Sequence, residues 1–257
     1  MLKILSAKAT ETSKSFKALP RRKGEDNLAW MTRAKLSATG VYLLLVGGRD
    51  AIAFRLRMAQ SHVRHDFTPS HWSHVMLLGQ VTRRLADTMV YEISLDPPHG
   101  FGFPPPSNAM QEGQLAQYQS ADAYPNIALN QVPISNKIFR TKLSRALQDF
   151  QKQRGVLDAQ DLLLRWLAFI WGVGRTGNPL LDGQGIPSAA MLEVIFGAVG
   201  FDLTPGLESR SSCPEAIWQA AKWWHEYYER NNQKAPRGVY CHDDVLLPAQ
   251  HSTKITM

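Results

Sequence analysis

The chain is short of cysteine and has neither a long apolar run nor an internal repeat, and each absence narrows its class. Two cysteines, Cys213 and Cys241, stand in 257 residues. That is too few for a disulfide framework. No stretch approaches the ~20 consecutive apolar residues of a membrane-spanning helix, so no transmembrane segment is expected. Residues 1–17 have no apolar core, so no signal peptide is expected and the chain should be made in the cytoplasm. No basic stripe interleaved with aromatics is present, and no nucleic-acid partner is expected. No repeat period points to a solenoid. His71 and His74 have a zinc-like spacing without matching cysteine or carboxylate ligands, and on a strand that spacing separates them onto opposite faces. Cys241, His242, Asp243 and Asp244 form a cluster of a kind that is more often solvated than metal-bound. The sequence therefore predicts neither a metal nor a cofactor.

What the chain has is positive charge. The formal net charge is +7. Part of the excess is concentrated in Lys3, Lys8, Lys14, Lys17, Arg21, Arg22 and Lys23. A basic balance favours anionic partners such as anionic lipid or a bacterial cell wall, or it is simply a solvated surface. Residues 1–25 read as a basic flexible N-terminal arm. Residues 26–257 read as a single domain, long enough to bury a substantial core.

Hydrophobic patterning predicts an α+β fold, a small antiparallel sheet flanked by helices. A helix is expected over Asp26–Lys35 and a buried strand over Gly40–Val46. A second helix should cover Asp50–Gln60. Strands are expected at Ser73–Leu78 and Thr88–Leu95, joined by a short polar turn and hence antiparallel. Residues 97–125, rich in Pro, Gly, Ser, Asn and Gln, read as a long loop. A strand should follow over Asn126–Pro133. The second half is helical: Ser135–Gln153, Asp158–Trp171, Ser188–Val199 and Pro214–Arg230, the last led by Cys213 and Pro214. Residues 238–247 read as an edge strand. Trp218, Trp223, Trp224, Tyr227 and Tyr228 crowd one helix, as core packing or in part as the lining of a groove. Asp182 reads as a turn residue.

A nucleophile needs a base within hydrogen-bond reach, and the base needs a group to orient it. His74 opens one predicted strand and Glu92 lies in the next. Ser188 starts a helix behind Gly183, Gln184, Gly185, Ile186 and Pro187. A helix start favours an anion and offers free N–H groups to a developing oxyanion. Cys213 is a rival nucleophile, because it also caps a helix.

The order of these motifs resembles the circularly permuted papain-like hydrolases. In that order a small residue, His74 and Val75 come first, then Tyr91 and Glu92, then a Gly/Pro-led helix start. Relatives of that group are the YiiX-like proteins, the lecithin:retinol acyltransferase group and, unpermuted, the NlpC-type cell-wall peptidases. The family's helix begins with cysteine, and the matching stretch here is Ser188, Ala189, Ala190, Met191 and Leu192. Residues 198–206 and 212–217 resemble the family's following stretches, and the resemblance covers roughly residues 40–220. It implies His74 as base, Glu92 as its orienter and position 188 as nucleophile, and it makes Cys213 structural. Serine at 188 departs from the pattern. It is open whether it is an engineered substitution, a natural serine nucleophile or the mark of a degenerate family member.

The resemblance implies an amidase or endopeptidase acting on peptidoglycan peptides. With no signal peptide and a basic surface, it further suggests a toxin sent into a rival's periplasm by a secretion machine, with an immunity or delivery protein as partner. Two other functions stay open: a lipid acyltransferase or lipase of the same fold, with Leu162–Trp171 and Phe101–Pro106 serving an acyl chain, and a papain-like domain that binds without cutting.

Overall fold

A computed structural model of the protein describes residues 16–95, 108–134, 137–152 and 158–242. Its centre is β2 (Val41–Gly47), an unbroken apolar run in which every residue is buried. Such a run belongs in the middle of a sheet covered on both faces. It pairs antiparallel with β6 (Asn126–Val132) on one side and with β3 (His74–Leu78) on the other. β4 (Met89–Glu92) and β5 (Gln111–Gln114) extend the sheet beyond β3. β7 (Arg237–Cys241) extends it beyond β6, and β1 (Phe16–Ala18) pairs parallel with β7. The order is β1-β7-β6-β2-β3-β4-β5.

The fold is therefore α+β, but its sheet is larger than expected and mixed: seven strands with one parallel pair. Three differences from the sequence reading account for this. Residues 97–125 are not one loop, since β5 and a 3-10 turn at Leu115–Tyr118 lie within them. β7 is an interior strand rather than an edge. The stretch read as a loose arm joins the sheet at β1, where Phe16 is buried against Trp218 with ring centroids 4.9 Å apart.

Period-2 alternation along β2 divides the core in two. Leu43 and Leu45 face the larger cluster, and Tyr42, Leu44 and Val46 face the smaller one. The larger cluster packs against α2 (Ala51–Ala59), α3 (Lys137–Lys152), α4 (Ala159–Ile170), α5 (Pro187–Ala198) and α6 (Pro214–Arg230). The smaller is covered by α1 (Asn27–Ala34) and the 115–118 turn. The Asp26 carboxylate caps α1 by accepting from the Ala29 amide at 2.7 Å, and Asp50 caps α2 in the same way. Of the aromatic residues of α6, Trp218 enters the core, while Trp223 and Tyr227 stack on each other at the surface.

α5 is almost entirely buried, and its Glu193 comes with it. The Glu193 carboxylate accepts from Thr204 Oγ1 at 2.6 Å and Ser212 Oγ at 2.9 Å. Burial nevertheless dominates and pushes its pKa from 4.5 up to about 7. The folded value lies above the unfolded one, so burial favours the neutral form. Its stabilising effect is full below about pH 4.5 and is lost as pH rises through about 7. Glu193→Gln keeps an acceptor for both hydroxyls and cannot ionise. Urea unfolding at pH 5 and pH 8 should show the parent losing on the order of 2–3 kcal/mol more than the variant across that window. Equal pH dependence in the two proteins would exclude an ionising Glu193 as the cause.

Candidate functional site

The site begins where β3 and β4 part. Their ladder pairs Leu78 with Val90 and Leu77 with Tyr91, and goes no further. Beyond it, His74 and Glu92 reach toward each other, with Nε2 of His74 2.5 Å from Oε2 of Glu92. Glu92 is 1% exposed, and its burial is matched by three donors. Besides His74, Gln117 Nε2 donates to Oε1 at 2.6 Å, and the Tyr118 hydroxyl donates to Oε2. Burial, and then the Glu92 charge, hold the Tyr118 phenol well above its usual pKa, so it remains a donor. With Nε2–H directed at the carboxylate, a neutral His74 presents the lone pair of Nδ1, and no hydrogen bond occupies that atom among the described residues.

Both partners are held from behind. Buried Asn27, at the first position of α1, donates through Nδ2 to the carbonyls of Tyr118, Ser120 and Tyr124, which fixes the turn that carries Gln117 and Tyr118. The loop leading into His74 is tied to α2 and α6. Gln60 Nε2 donates to the Trp72 carbonyl at 2.8 Å, and Ser70 Oγ donates to Glu215 at 2.6 Å. That loop crosses so close to β2 that a Cβ on Gly47 would lie 1.9 Å from the His71 carbonyl oxygen. Only glycine fits there.

Ser188 enters the same seam from the side of α5. Its hydroxyl donates to the Val75 carbonyl and accepts a long bond, 3.5 Å, from the Ile93 amide. Val75 follows His74 and Ile93 follows Glu92, so the hydroxyl lies one residue from each. It stands between two backbone groups that a longer ladder would have joined. Ser188 is fully buried, and no hydrogen bond links it to the His74 imidazole. The side chains of Val75 and Ile93 belong to the cluster under α5, whereas Tyr118 belongs to the cluster on the other face. The structure thus brings His74 and Glu92 together and places Ser188 beside them without joining the three. The start of α5 is fixed independently: Trp166 Nε1 donates to the Gly185 carbonyl at 2.6 Å, and the Ile186 amide donates to the Ser212 carbonyl at 2.9 Å.

The other sequence candidates fall elsewhere. Cys213 lies in the core, and burial pushes its thiol up to about 12. A thiol so held is not a nucleophile at neutral pH. His71 stacks on His242 with ring centroids 4.1 Å apart and takes no part in the His74 pair. Among the described residues no group of three or more His, Cys, Asp or Glu side chains is placed to hold a metal ion. Asp243 and Asp244 lie outside the described residues, as does Phe101–Pro106. Asp182 sits exposed at the end of a 3-10 turn. In the Leu162–Trp171 stretch, Leu162, Leu163, Trp166, Leu167 and Ile170 are buried in the larger core, whereas Leu164 and Trp171 are exposed. No helix among the described residues is long and apolar enough to cross a membrane.

Sequence reasoning missed Gln117 and Tyr118, and also Gln111. Gln111 pairs in register with Glu92, and among the described residues its buried amide has no partner for either polar atom. The one signal available was the density of hydrogen-bonding side chains in 111–118, inside a stretch that otherwise reads as loop. Comparison with protein-family models, with curated proteins and with solved structures gives no significant match.

Ser188→Ala removes the hydroxyl from the seam and leaves the Val75 carbonyl and the Ile93 amide unmet. Equilibrium urea unfolding should register a loss of about 1–3 kcal/mol. An unchanged midpoint and slope would mean that the serine does not brace the seam.

Proposed function

We propose that the chain is a papain-like amidase domain acting on peptide bonds of the bacterial cell wall. His74 is the acid–base group, Glu92 orients it, and residue 188 occupies the nucleophile position. The carrying observation is the seam itself: a histidine with Nε2 held by a buried carboxylate, Nδ1 unengaged among the described residues, and the first turn of a buried helix bonded to the backbone one residue away. The amides of Ser188 and Ala189 lie in that first turn, where a helix supplies no internal acceptors. They are suited to an oxyanion, as the helix start is to a thiolate.

Serine at 188 accounts for a resting state. A hydroxyl is a good donor to the Val75 carbonyl and is held there. A thiol is a weak donor, so cysteine in its place is held less firmly to the Val75 carbonyl. Delivery into a rival's periplasm, with an immunity or delivery protein as partner, rests on the resemblance alone.

The test compares the chain as given with Ser188→Cys on purified sacculi, with products read by mass. The cysteine form should release peptide fragments at least about a hundredfold faster than the serine form. It should lose that activity when His74→Ala is added, as expected for removal of a general acid–base group. If the serine and cysteine forms both leave sacculi uncut, the amidase reading is overturned. The engaged Ser188 hydroxyl favours a second reading, a domain that binds cell-wall peptides without cutting them. Saturable retention on sacculi with no fragments from either form would establish it.

A further inference from the structure

A cavity of about 640 Å³ opens at the end of the sheet that carries His74, three strands away from it. It lies within the usual size range of small-ligand sites. Arg21, Arg49, Asp122, Tyr240, Cys241 and His242 contribute to its lining. From these residues we infer a binding site for a zwitterionic peptide end, a carboxylate with an ammonium group beside it.

The two arginines carry the argument. Arg21 donates from Nη2 to the Pro125 carbonyl at 3.1 Å, while its Nη1 is buried without a partner among the described residues. Arg49 anchors its backbone amide on the Ala123 carbonyl, and its guanidinium makes no hydrogen bond or ion pair among the described residues. A buried guanidinium donor left unmet, as Arg21 Nη1 is among the described residues, is costly unless a ligand meets it, and the half-exposed Arg49 guanidinium stands at the same cavity. A planar oxyanion is the group whose geometry a guanidinium fork matches. Asp122 decides between oxyanions. It is exposed and paired with neither arginine. Its charge opposes a dianionic phosphate and attracts an ammonium. One wall is flat: the His242 ring stacks on Tyr240 at 5.4 Å with an interplanar angle of 6°.

The register relates this cavity to the reactive seam. His74 pairs with Val46, Val46 with Ile127, and Ile127 with Cys241, in one row across the sheet. Three strand spacings make about 14 Å, the span of roughly four residues of extended peptide. Val46 and Ile127 between them are buried, so the row gives the separation of the cavity from the seam and not a track for the peptide. A connection between the two rests on the amidase reading, whereas binding in the cavity does not.

The test is isothermal titration with Nα-acetyl-alanyl-glutamyl-lysine bearing a free carboxylate. Its C-terminal amide, its Nε-acetyl form and inorganic phosphate are the comparisons. The free peptide should bind. Amidation and Arg49→Gln should each weaken binding at least tenfold, and Asp122→Asn should erase the advantage over the Nε-acetyl form. His74→Ala should bind as the parent does, so a failure to cut sacculi leaves this result standing. Arg49 makes no side-chain hydrogen bond or ion pair among the described residues, so its variant should unfold at the parent temperature. If it does not, the amide comparison on the parent protein still decides. The inference is overturned if the amidated peptide binds as tightly, if a folded Arg49→Gln binds unchanged, or if no peptide binds. Phosphate binding more tightly than the peptide would overturn it in favour of a phosphate site.

Discussion

A carboxylate taken out of water must be surrounded by hydrogen-bond donors, and Glu92 imposes that constraint on much of this molecule. Its three donors come from two places in the chain. One lies at the start of β3, and two lie in the short 3-10 turn that follows β5. The turn is kept in place by the amide of Asn27, and α1 is in turn placed by its Asp26 cap. The loop before β3 is kept in place by Gln60 and by Glu215 at the start of α6. Elements far apart in sequence thus converge on one buried anion. The helix caps, the close crossing at Gly47 and the packing of α1 all serve the same local geometry.

The seam between β3 and β4 shows how one hydroxyl can serve either structure or chemistry. In a regular ladder the Val75 carbonyl and the Ile93 amide would meet. Here the strands part so that His74 can reach Glu92, and the Ser188 hydroxyl fills the opening. A polar group at that point is needed for the backbone accounting alone. The same helix-start placement suits a nucleophile, but the hydroxyl lies on the opposite face of the sheet from the cluster that holds Tyr118 and bonds only to backbone. The better the hydroxyl satisfies the backbone, the less available it is to the imidazole.

The strands that carry His74 and Glu92 were legible because their apolar patterns are clear and the turn between them is short. The helix start at Ser188 was legible from Pro187 and the glycines before it. Gln117 and Tyr118 were not. β5 is an edge strand with polar residues, so it lacks the alternation that marks a half-buried strand, and a 3-10 turn leaves no periodic trace. β1 is three residues long and depends wholly on its partner, and without it β7 could only be read as an edge. The arginine-lined cavity draws on four separate segments, and no local pattern announces such a meeting.

The pairing of Phe16 with Gly238 has a kinetic side. A strand near the beginning of the chain finds its ladder only on a strand near the end. While the polypeptide is being made, the β6 edge that will receive β7 has no neighbour, and Phe16 has no Trp218 to pack against. High sequence separation of this kind slows folding and lengthens the life of an open sheet edge. Until the residues of β7 are available, the edge of β6 that they cover has no partner strand.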